Sequence, residues 1–226
     1  MNLERHGDVA VITLDDGKAN AINPGWMAAL ISLFDEAEAT CKAIVIKGRA
    51  GVFSAGFDLK WMGSADSEDL AGLLDAASQM LIRLYGSSRP LVGACTGHAI
   101  AAGAFLLCSC DTRIAARGEF LLGANETVNN MRIPVFATEM LRARLGEAAL
   151  TEALVQARMY DPESALAVGY VDQLADAKQI EGEALALAES LAQLPEDAYA
   201  FNKLAARQHT IDTIAAAIGS YAKPRE

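Results

Sequence analysis

The sequence predicts an α/β fold built around one hydrophobic core. Apolar stretches of strand length alternate with amphipathic helical patterns over the first two thirds of the chain, and helices dominate the last third. The order of elements looks like a repeated strand–strand–helix unit and not like strand–helix–strand. The 226 residues are 52% hydrophobic and 21% charged, as in ordinary globular proteins, and we expect one domain with a short appendage.

The first half of the chain supplies strands and helices in turn. Residues 8–16, DVAVITLDD, read as a strand that ends in an Asp-Gly turn. Residues 23–39 begin with an Asn cap and a Pro, and their apolar residues recur at helical spacing, so we predict an amphipathic helix. KAIVIKG at 42–48 is predicted to be a second strand. The segment 64–88 has a Ser- and Asp-rich start and a long helical pattern.

The second half begins with a third strand, predicted at 89–99. The next stretch, 101–111, is apolar almost all round, which indicates a buried helix. Later elements follow from the same patterns: short strands in 112–117 and 119–126, helices in 134–146 and 147–158, a capped helix and short strand in 161–174, and a helical tail from about 175 to 221 that breaks at Pro195.

Charge and cysteine content restrict the class of protein. The net charge is −10 without any basic run, which argues against nucleic acid and anionic membrane surfaces as partners. No apolar run is long enough to span a membrane, and the N-terminal stretch has no apolar signal core. The cysteines lie in apolar stretches without a histidine cluster, so we expect buried free thiols, no metal site and a cytoplasmic location; they are Cys41, Cys95, Cys108 and Cys110.

Two stretches place small residues directly after a predicted strand. The first is VFSAGFDLKWM at 52–62, and the second is TGHAIAAGAFLLCSCD at 96–111. Small residues let a ligand approach the backbone closely. In the second stretch a buried helix begins among them, and the first N–H groups of a helix are unpaired donors at the positive end of its dipole. Both stretches therefore indicate sites where backbone N–H groups bind a developing negative charge.

These motifs resemble the crotonase superfamily, the enoyl-CoA hydratase/isomerase family. The family's F-S-A-G-x-D-L motif corresponds to 53–59, and its G-x-A-x-G-G-G motif corresponds to 97–103, followed by Cys-Asp. GKANAIN at 17–23 and ESALAVGYVDQL at 163–174 resemble two further family segments. The resemblance covers Leu3 to Leu194. It implies a crotonase-type spiral of strand–strand–helix repeats over residues 1–194, with a shortened helical C-terminal segment at 195–226.

The resemblance also implies site residues. In the family one backbone N–H from each motif binds the thioester oxygen, and these donors correspond to Phe57 and Ala102. Trp61 and Phe105 are predicted to line the acyl pocket, although Trp61, Met62 and Phe57 could equally be ordinary core. The residues predicted to border coenzyme A are Lys18, Ala19, Ala21, Ala55 and Leu59.

One carboxylate remains where hydratases of the family use two glutamates. The first glutamate position is filled by Phe105, and the second corresponds to Glu126. This resembles the family's Δ3,Δ2-enoyl-CoA isomerases, in which one base moves a proton between two carbons. A hydratase and a catalytically silent binding protein of the same fold remain the alternatives. The region after the base, TVNNMRIPVFATEML, lacks the Gly-rich run that is common in the family.

Other polar residues near the motifs have simpler interpretations. His98 is expected to be a hydrogen-bonded structural residue, and Asp58 to stabilise the motif turn. Glu139 is interpreted as a helix-surface residue. The resemblance implies an acyl-CoA substrate whose coenzyme A is part of the substrate, no separate cofactor, and a homo-oligomer, either a trimer or a dimer of trimers.

Overall fold

The computed structural model describes residues 1–221, and within them the strands form two sheets. The larger sheet has six strands in the order β1-β2-β3-β5-β7-β9, and the smaller has three in the order β4-β6-β8. The strands are β1 Asn2–His6, β2 Val9–Leu14, β3 Ala43–Gly48, β4 Gly51–Ser54, β5 Leu91–Cys95, β6 Gly97–Ile100, β7 Thr112–Ala116, β8 Leu122–Gly123 and β9 Gln173–Ala175.

Helices cover both the connections and the C-terminal part of the described chain. They are α1 Pro24–Thr40, α2 Leu59–Ser64, α3 Ser67–Tyr85, α4 Ala102–Ser109, α5 Val135–Arg142, α6 Glu147–Leu154, α7 Pro162–Val168, α8 Ile180–Leu191 and α9 Glu196–Ala217. The predicted segment 195–226 contains α9, while its last residues, 222–226, lie outside the described residues. The division into a core and a C-terminal segment stays a prediction.

The predicted strand–strand–helix repeat is confirmed. Strand β3 enters the large sheet, β4 the small sheet, and helices α2 and α3 follow; β5, β6 and α4 repeat this order, and so do β7, β8 and α5. All strand pairs are parallel except β1 with β2, which are antiparallel. Because equivalent strands run in the same direction, their carboxyl ends meet at one edge of each sheet.

The single strand predicted at 89–99 is wrong, because the chain changes sheets within it. β5 pairs with β3 in the large sheet, whereas β6 pairs with β4 in the small one. The change occurs at Thr96 and Gly97, where a Cβ on Gly97 would lie 1.9 Å from the carbonyl carbon of Gly51. Only glycine allows the two backbones to approach this closely. Because only Thr96 separates the two strands, the sequence alone suggests one continuous strand.

Two short elements were not predicted. Strand β1 is mostly exposed, and it pairs with β2 at the edge of the large sheet. Helix α2 has six residues and no buried side chain, so it carries no amphipathic signal. The segment predicted at 119–126 forms a strand only over Leu122–Gly123. No helix within residues 1–221 is long and apolar enough to cross a membrane.

Candidate active site

The first motif leaves one backbone donor free at the end of β4. After Ser54 the chain turns at Gly56, which has φ +87°. The next residues run alongside Ile22, whose N–H donates to the Gly56 carbonyl at 2.8 Å and whose carbonyl accepts from the Asp58 N–H at 2.9 Å. In such a parallel pairing the residue between the two bonded positions, here Phe57, points its own N–H and C=O groups away from the partner segment. The Phe57 N–H accordingly has no acceptor within the described part of the chain.

The second motif leaves a donor free at the start of a buried helix. Ala101 caps α4 with φ 52° and ψ −124°, and its N–H donates to the Gly123 carbonyl at 2.8 Å. Ala102 is the first residue of α4, and its N–H has no acceptor among residues 1–221. Every residue of this helix is buried. The positive end of the helix dipole lies at its N-terminus, where the Ala102 N–H is located.

The two motifs pack directly against each other because the residues at their contact are glycines, which have no side chain. A Cβ on Gly56 would lie 2.8 Å from the Ile100 carbonyl oxygen and 3.3 Å from the Ala102 nitrogen. A Cβ on Gly103 would lie 2.4 Å from the Ser54 carbonyl oxygen. The turn that carries the Phe57 N–H is thus packed against the helix start that carries the Ala102 N–H. Two such donors on one oxygen are what a developing enolate requires.

Buried side-chain hydrogen bonds hold the first motif in place. Asn20 is fully buried, and its amide donates to the carbonyl oxygens of Leu14 at 2.7 Å and Phe53 at 3.0 Å. The Ser54 hydroxyl donates to the Asn20 carbonyl at 2.8 Å and accepts from the Gly56 N–H at 3.2 Å. These bonds tie the segment before α1 to the end of β4, so the motif turn has little freedom.

Glu126 is a buried carboxyl at the wall of a cavity. It lies after β8, in a turn that the Met131 N–H closes on the Glu126 carbonyl at 2.9 Å. The residue is 7% exposed, and its Oε2 has no hydrogen-bond partner within the described residues. Burial raises the pKa of the Glu126 carboxyl above its ordinary value, and the N–H groups of Glu126 and Asn125 oppose this only in part. A raised pKa suits a group that takes up and returns a proton.

The cavity beside Glu126 has a volume of about 250 Å³ and mainly apolar walls. Phe57 of the first motif and Phe105 of α4 line it, so Glu126 faces the region where the motifs meet. Phe105 is 1% exposed and packs edge-on against Phe136 at a centroid distance of 6.1 Å. The remaining lining residues come from α2, α3, the turn after Glu126 and α5: Met62, Leu70, Leu73, Leu74, Met131, Arg132, Pro134 and Phe136.

Not every predicted site residue lies at this cavity. Trp61 is half-buried against the core and does not line the cavity; its neighbour Met62 does, because adjacent helical residues point about 100° apart. The predicted coenzyme A residues lie outside the cavity wall. Among them the Ala55 N–H donates to the Ala19 carbonyl at 3.0 Å, and Leu59 is 72% exposed. Lys18 is exposed, and Ala21 is partly buried.

The loop predicted to border coenzyme A is organised by one carboxylate. The N–H groups of Lys18, Asn20 and Ala21 donate to Asp16 at 2.8, 3.0 and 3.2 Å. Burial raises the pKa of Asp16, but these backbone donors outweigh it and hold the pKa below its ordinary value. The conformation of the loop is therefore stabilised by hydrogen bonds within the loop itself.

The structure also shows the contacts of the three polar residues to which we assigned structural or surface roles, His98, Asp58 and Glu139. His98 accepts the Leu121 N–H at 3.0 Å through Nδ1, which is a structural role. The Asp58 carboxylate accepts the Lys60 and Trp61 N–H groups and caps α2, which confirms its role in the turn. The surface interpretation of Glu139 is wrong, since its side chain is only 12% exposed. It pairs with Arg142 at 3.2 Å and does not line the cavity.

The cavity walls were the part of the site that sequence reasoning missed. Leu70, Leu73 and Leu74 have the i, i+3, i+4 spacing of one helix face, which indicates burial but not a cavity. Arg132 carried no signal beyond its position in the region that lacks the family's Gly-rich run. Within residues 1–221 no three His, Cys, Asp or Glu side chains meet in an arrangement that could hold a metal ion.

Comparison with known proteins agrees with these motifs. The sequence profile described as Enoyl-CoA hydratase/isomerase matches residues 4–221. The chain belongs to the enoyl-CoA hydratase/isomerase family, within the crotonase superfamily. Human mitochondrial enoyl-CoA delta isomerase 1 is 30% identical over 206 residues, which cover 89% of this chain and 68% of the human protein. A putative enoyl-CoA hydratase from Thermus thermophilus is 31% identical over 193 residues, covering 83% and 76%.

Solved structures of the enoyl-CoA hydratase/isomerase family share the fold closely. A protein from Mycobacterium tuberculosis has TM-scores of 0.94 and 0.93 in two structures, at 37% identity. The match covers 98% of this chain and 94% or 96% of that protein. One structure describes it as a probable enoyl-CoA hydratase and the other as an enoyl-CoA isomerase. The names of similar proteins thus establish the family and leave the choice of reaction to the residues of the site.

Proposed function

We propose that this chain is a Δ3,Δ2-enoyl-CoA isomerase that shuttles one proton with one glutamate. The main observation behind this proposal is that, within the described residues, Glu126 is the only carboxylate that lines the cavity. Phe105 fills the place at which the resemblance puts the first glutamate of hydratases, and its ring is buried against Phe136. A hydratase must also hold and deprotonate a water molecule, and among residues 1–221 no second acid or base lines this cavity.

The reaction then follows from the positions of three groups. The Glu126 carboxylate takes a proton from C2 of a 3-enoyl-CoA. The electrons move into the thioester carbonyl, and the N–H groups of Phe57 and Ala102 bind the resulting dienolate oxygen. Glu126 returns the same proton at C4, which gives trans-2-enoyl-CoA. Each backbone donor contributes roughly 100- to 1000-fold in rate in comparable sites, and a positioned base contributes roughly 100- to 10,000-fold.

The apolar walls support a single-base shuttle. Water in the cavity would exchange the proton while Glu126 carries it, whereas aromatic and aliphatic walls keep the proton on the carboxyl. The raised pKa of Glu126 also reduces the difference in pKa between this carboxyl and the substrate carbon that it deprotonates. The lining residues Phe57, Phe105 and Phe136 supply the aromatic part of this wall.

The remaining features of the proposal concern coenzyme A and assembly. We place coenzyme A along the loop that contains Lys18, Ala19 and Ala21 and beside Ala55 and Leu59, with no separate cofactor. The homo-oligomer, either trimer or dimer of trimers, stays a prediction, as does the cytoplasmic location. Light scattering after size-exclusion chromatography measures the oligomeric state.

The test is an ultraviolet assay with purified protein and two substrates, trans-3-hexenoyl-CoA and trans-2-hexenoyl-CoA. We expect conjugation to appear from the 3-enoyl substrate and to fall by roughly 100- to 10,000-fold in Glu126→Gln. Glu139→Gln is the matched control, since it removes a carboxylate of α5 that does not line the cavity. Deuterium placed at C2 should appear at C4 of the product.

Three outcomes would contradict the proposal. Loss of conjugation from the 2-enoyl substrate, without isomerisation of the 3-enoyl substrate, would identify a hydratase. Binding of coenzyme A thioesters without any turnover would identify a catalytically silent protein of the same fold. Full isomerase activity in Glu126→Gln would remove the base from the mechanism.

A further inference from the structure

The cavity that contains Glu126 has one cationic side chain in its wall. Arg132 lies in the loop between the turn at Glu126 and the start of α5, and the bond from the Met131 N–H to the Glu126 carbonyl folds this loop back toward the cavity. The other lining residues, apart from Glu126, are apolar. A guanidinium stays charged at any pH that proteins tolerate, so this wall carries a permanent positive charge.

Arg132 also differs from the other arginines of the described chain in having no partner there. Each of the others within residues 1–221 donates to a carboxylate or a carbonyl oxygen. These bonds join Arg5 to Glu36, Arg49 to Lys18, Arg83 and Arg89 to Glu38, Arg113 to Asp172, Arg117 to Glu163, Arg142 to Glu139, Arg144 to Cys108, Arg158 to Glu152 and Arg207 to Asp111. In the described structure the guanidinium N–H groups of Arg132 are the only ones among the arginines that have no acceptor.

Glu126 is not the partner of Arg132, although both line the same cavity. Burial raises the pKa of Glu126, and the groups that oppose this are the N–H groups of Glu126 and Asn125. The Oε2 of Glu126 has no hydrogen-bond partner within residues 1–221. The base and the cation are therefore separate features of one cavity, and a ligand that fills the cavity can meet both.

We propose that Arg132 binds a carboxylate at the far end of the acyl chain, so that the preferred substrates are coenzyme A thioesters of short unsaturated dicarboxylic acids. This rests on the proposed function of the same cavity. A guanidinium binds a carboxylate through two parallel hydrogen bonds. Arg132 is exposed to solvent, so its donors are accessible to a ligand that enters the cavity. The terminal carboxylate takes no part in the proton transfer from C2 to C4 and leaves unchanged.

The cavity's size and position support a short acyl chain over other ligands. Its volume of about 250 Å³ lies just below the range of roughly 300–1,000 Å³ typical of ligand pockets. None of the residues predicted to border coenzyme A lines it. Arg132 consequently belongs to the acyl wall and not to the predicted coenzyme A loop. A contact with a coenzyme A phosphate would instead affect all thioesters equally, which the following experiment detects.

The experiment compares two substrates of equal shape, the mono-coenzyme A thioester of 3-hexenedioic acid and the same thioester with its free carboxylate converted to an amide. We expect kcat/KM for the carboxylate to exceed that for the amide by about two- to fivefold, as for other ion pairs in which the cation is exposed. Arg132→Gln should reduce this ratio to near one, and Arg132→Lys should leave an intermediate value. Arg5→Gln removes an equal charge from exposed strand β1 and should keep the ratio.

A binding measurement separates this inference from the proposed function. Calorimetry with hexanedioyl-CoA and its terminal amide needs no turnover, because both chains are saturated. Carboxylate-selective binding that Arg132→Gln abolishes supports the inference even if no 3-enoyl-CoA is isomerised. Isomerisation of 3-hexenoyl-CoA with a carboxylate-to-amide ratio near one in the unmodified protein overturns the inference and leaves the isomerase intact. An equal loss for both substrates in Arg132→Gln overturns it as well.

Discussion

Asp111 binds the last described helix to the core through a cluster of buried charges. Its carboxylate accepts the Leu91 N–H at 2.9 Å, the Tyr199 hydroxyl at 2.6 Å, the Lys203 ammonium at 2.8 Å and the Arg207 guanidinium at 2.6 Å. The side chains of Asp111, Lys203 and Arg207 are 8%, 5% and 11% exposed. Helix α9 buries only three of its residues, and we therefore expect the Asp111 carboxylate to contribute strongly to its attachment.

Asp111→Asn would leave two buried cations without their carboxylate. Breaking a buried ion pair on one side typically costs about 3–5 kcal/mol. Lys203 still donates to the Arg89 carbonyl and Arg207 to the Tyr85 carbonyl, so we expect the lower end, about 3 kcal/mol. For a chain of this size each kcal/mol lowers Tm by roughly 2–4 °C, which gives a fall of about 6–12 °C.

Differential scanning fluorimetry measures this fall, and two variants test its cause. Asp35→Asn removes an exposed carboxylate that pairs with Arg83, and we expect a change of about 2 °C or less. Adding Lys203→Met to Asp111→Asn removes one unpaired cation and should recover part of the lost stability. If Asp111→Asn and Asp35→Asn have the same Tm as the unmodified protein, the buried charges do not hold α9, and the reasoning is refuted.

Three further outcomes are expected at the site. Burial raises the pKa of Glu126, so the carboxyl costs no stability at pH 4, where it is protonated. Part of the stability of the fold is lost progressively as the pH rises through the folded-state pKa of Glu126. Glu126→Gln should therefore raise Tm at pH 8 by about 2–4 °C, which corresponds to roughly 1 kcal/mol, and should leave Tm unchanged at pH 4. Ala101→Gly should raise Tm by about 2–4 °C because φ 52° is strained for alanine, whereas Ala102→Gly, inside the helix, should lower it. Gly56→Ala should lower kcat by about 100-fold in the isomerase assay, since a Cβ would sit 2.8 Å from the Ile100 carbonyl oxygen and separate the motifs; an unchanged kcat would contradict this geometry.

Hydrophobic pattern predicted the elements that are long or fully buried. β2 and β3 are continuous apolar runs, as expected of parallel strands covered on both faces, and α1 and α3 have clear caps. The pattern failed where one strand follows another with a single residue between them. β5 is buried throughout and β6 alternates between buried and partly buried residues, and the change of sheet between them occurs at Gly97.

The candidate site divides in the same way. The motif positions of Phe57 and Ala102 follow from the resemblance, whereas the burial of Glu126 follows from no pattern in its own sequence. Taken alone, Glu126 reads as an exposed acid near a strand end. Its burial depends on a turn closed by Met131 and on the ring of Phe105, which comes from another repeat. Contacts between distant segments create the cavity, and a local sequence window cannot report them.

The two alanines in the second motif link backbone strain to the proposed chemistry. Because the donors are backbone N–H groups, a side chain at 101 or 102 affects them only through the shape that it imposes. Ala102 has room at the start of α4, but Ala101 holds φ 52°, a conformation that glycine adopts without strain. Its N–H bond to Gly123 at 2.8 Å and the contact with Gly56 fix this conformation from both sides. The surrounding repeats thus stabilise a strained turn, and that turn holds the Ala102 N–H next to the Phe57 turn, where we propose that both donors bind one oxygen.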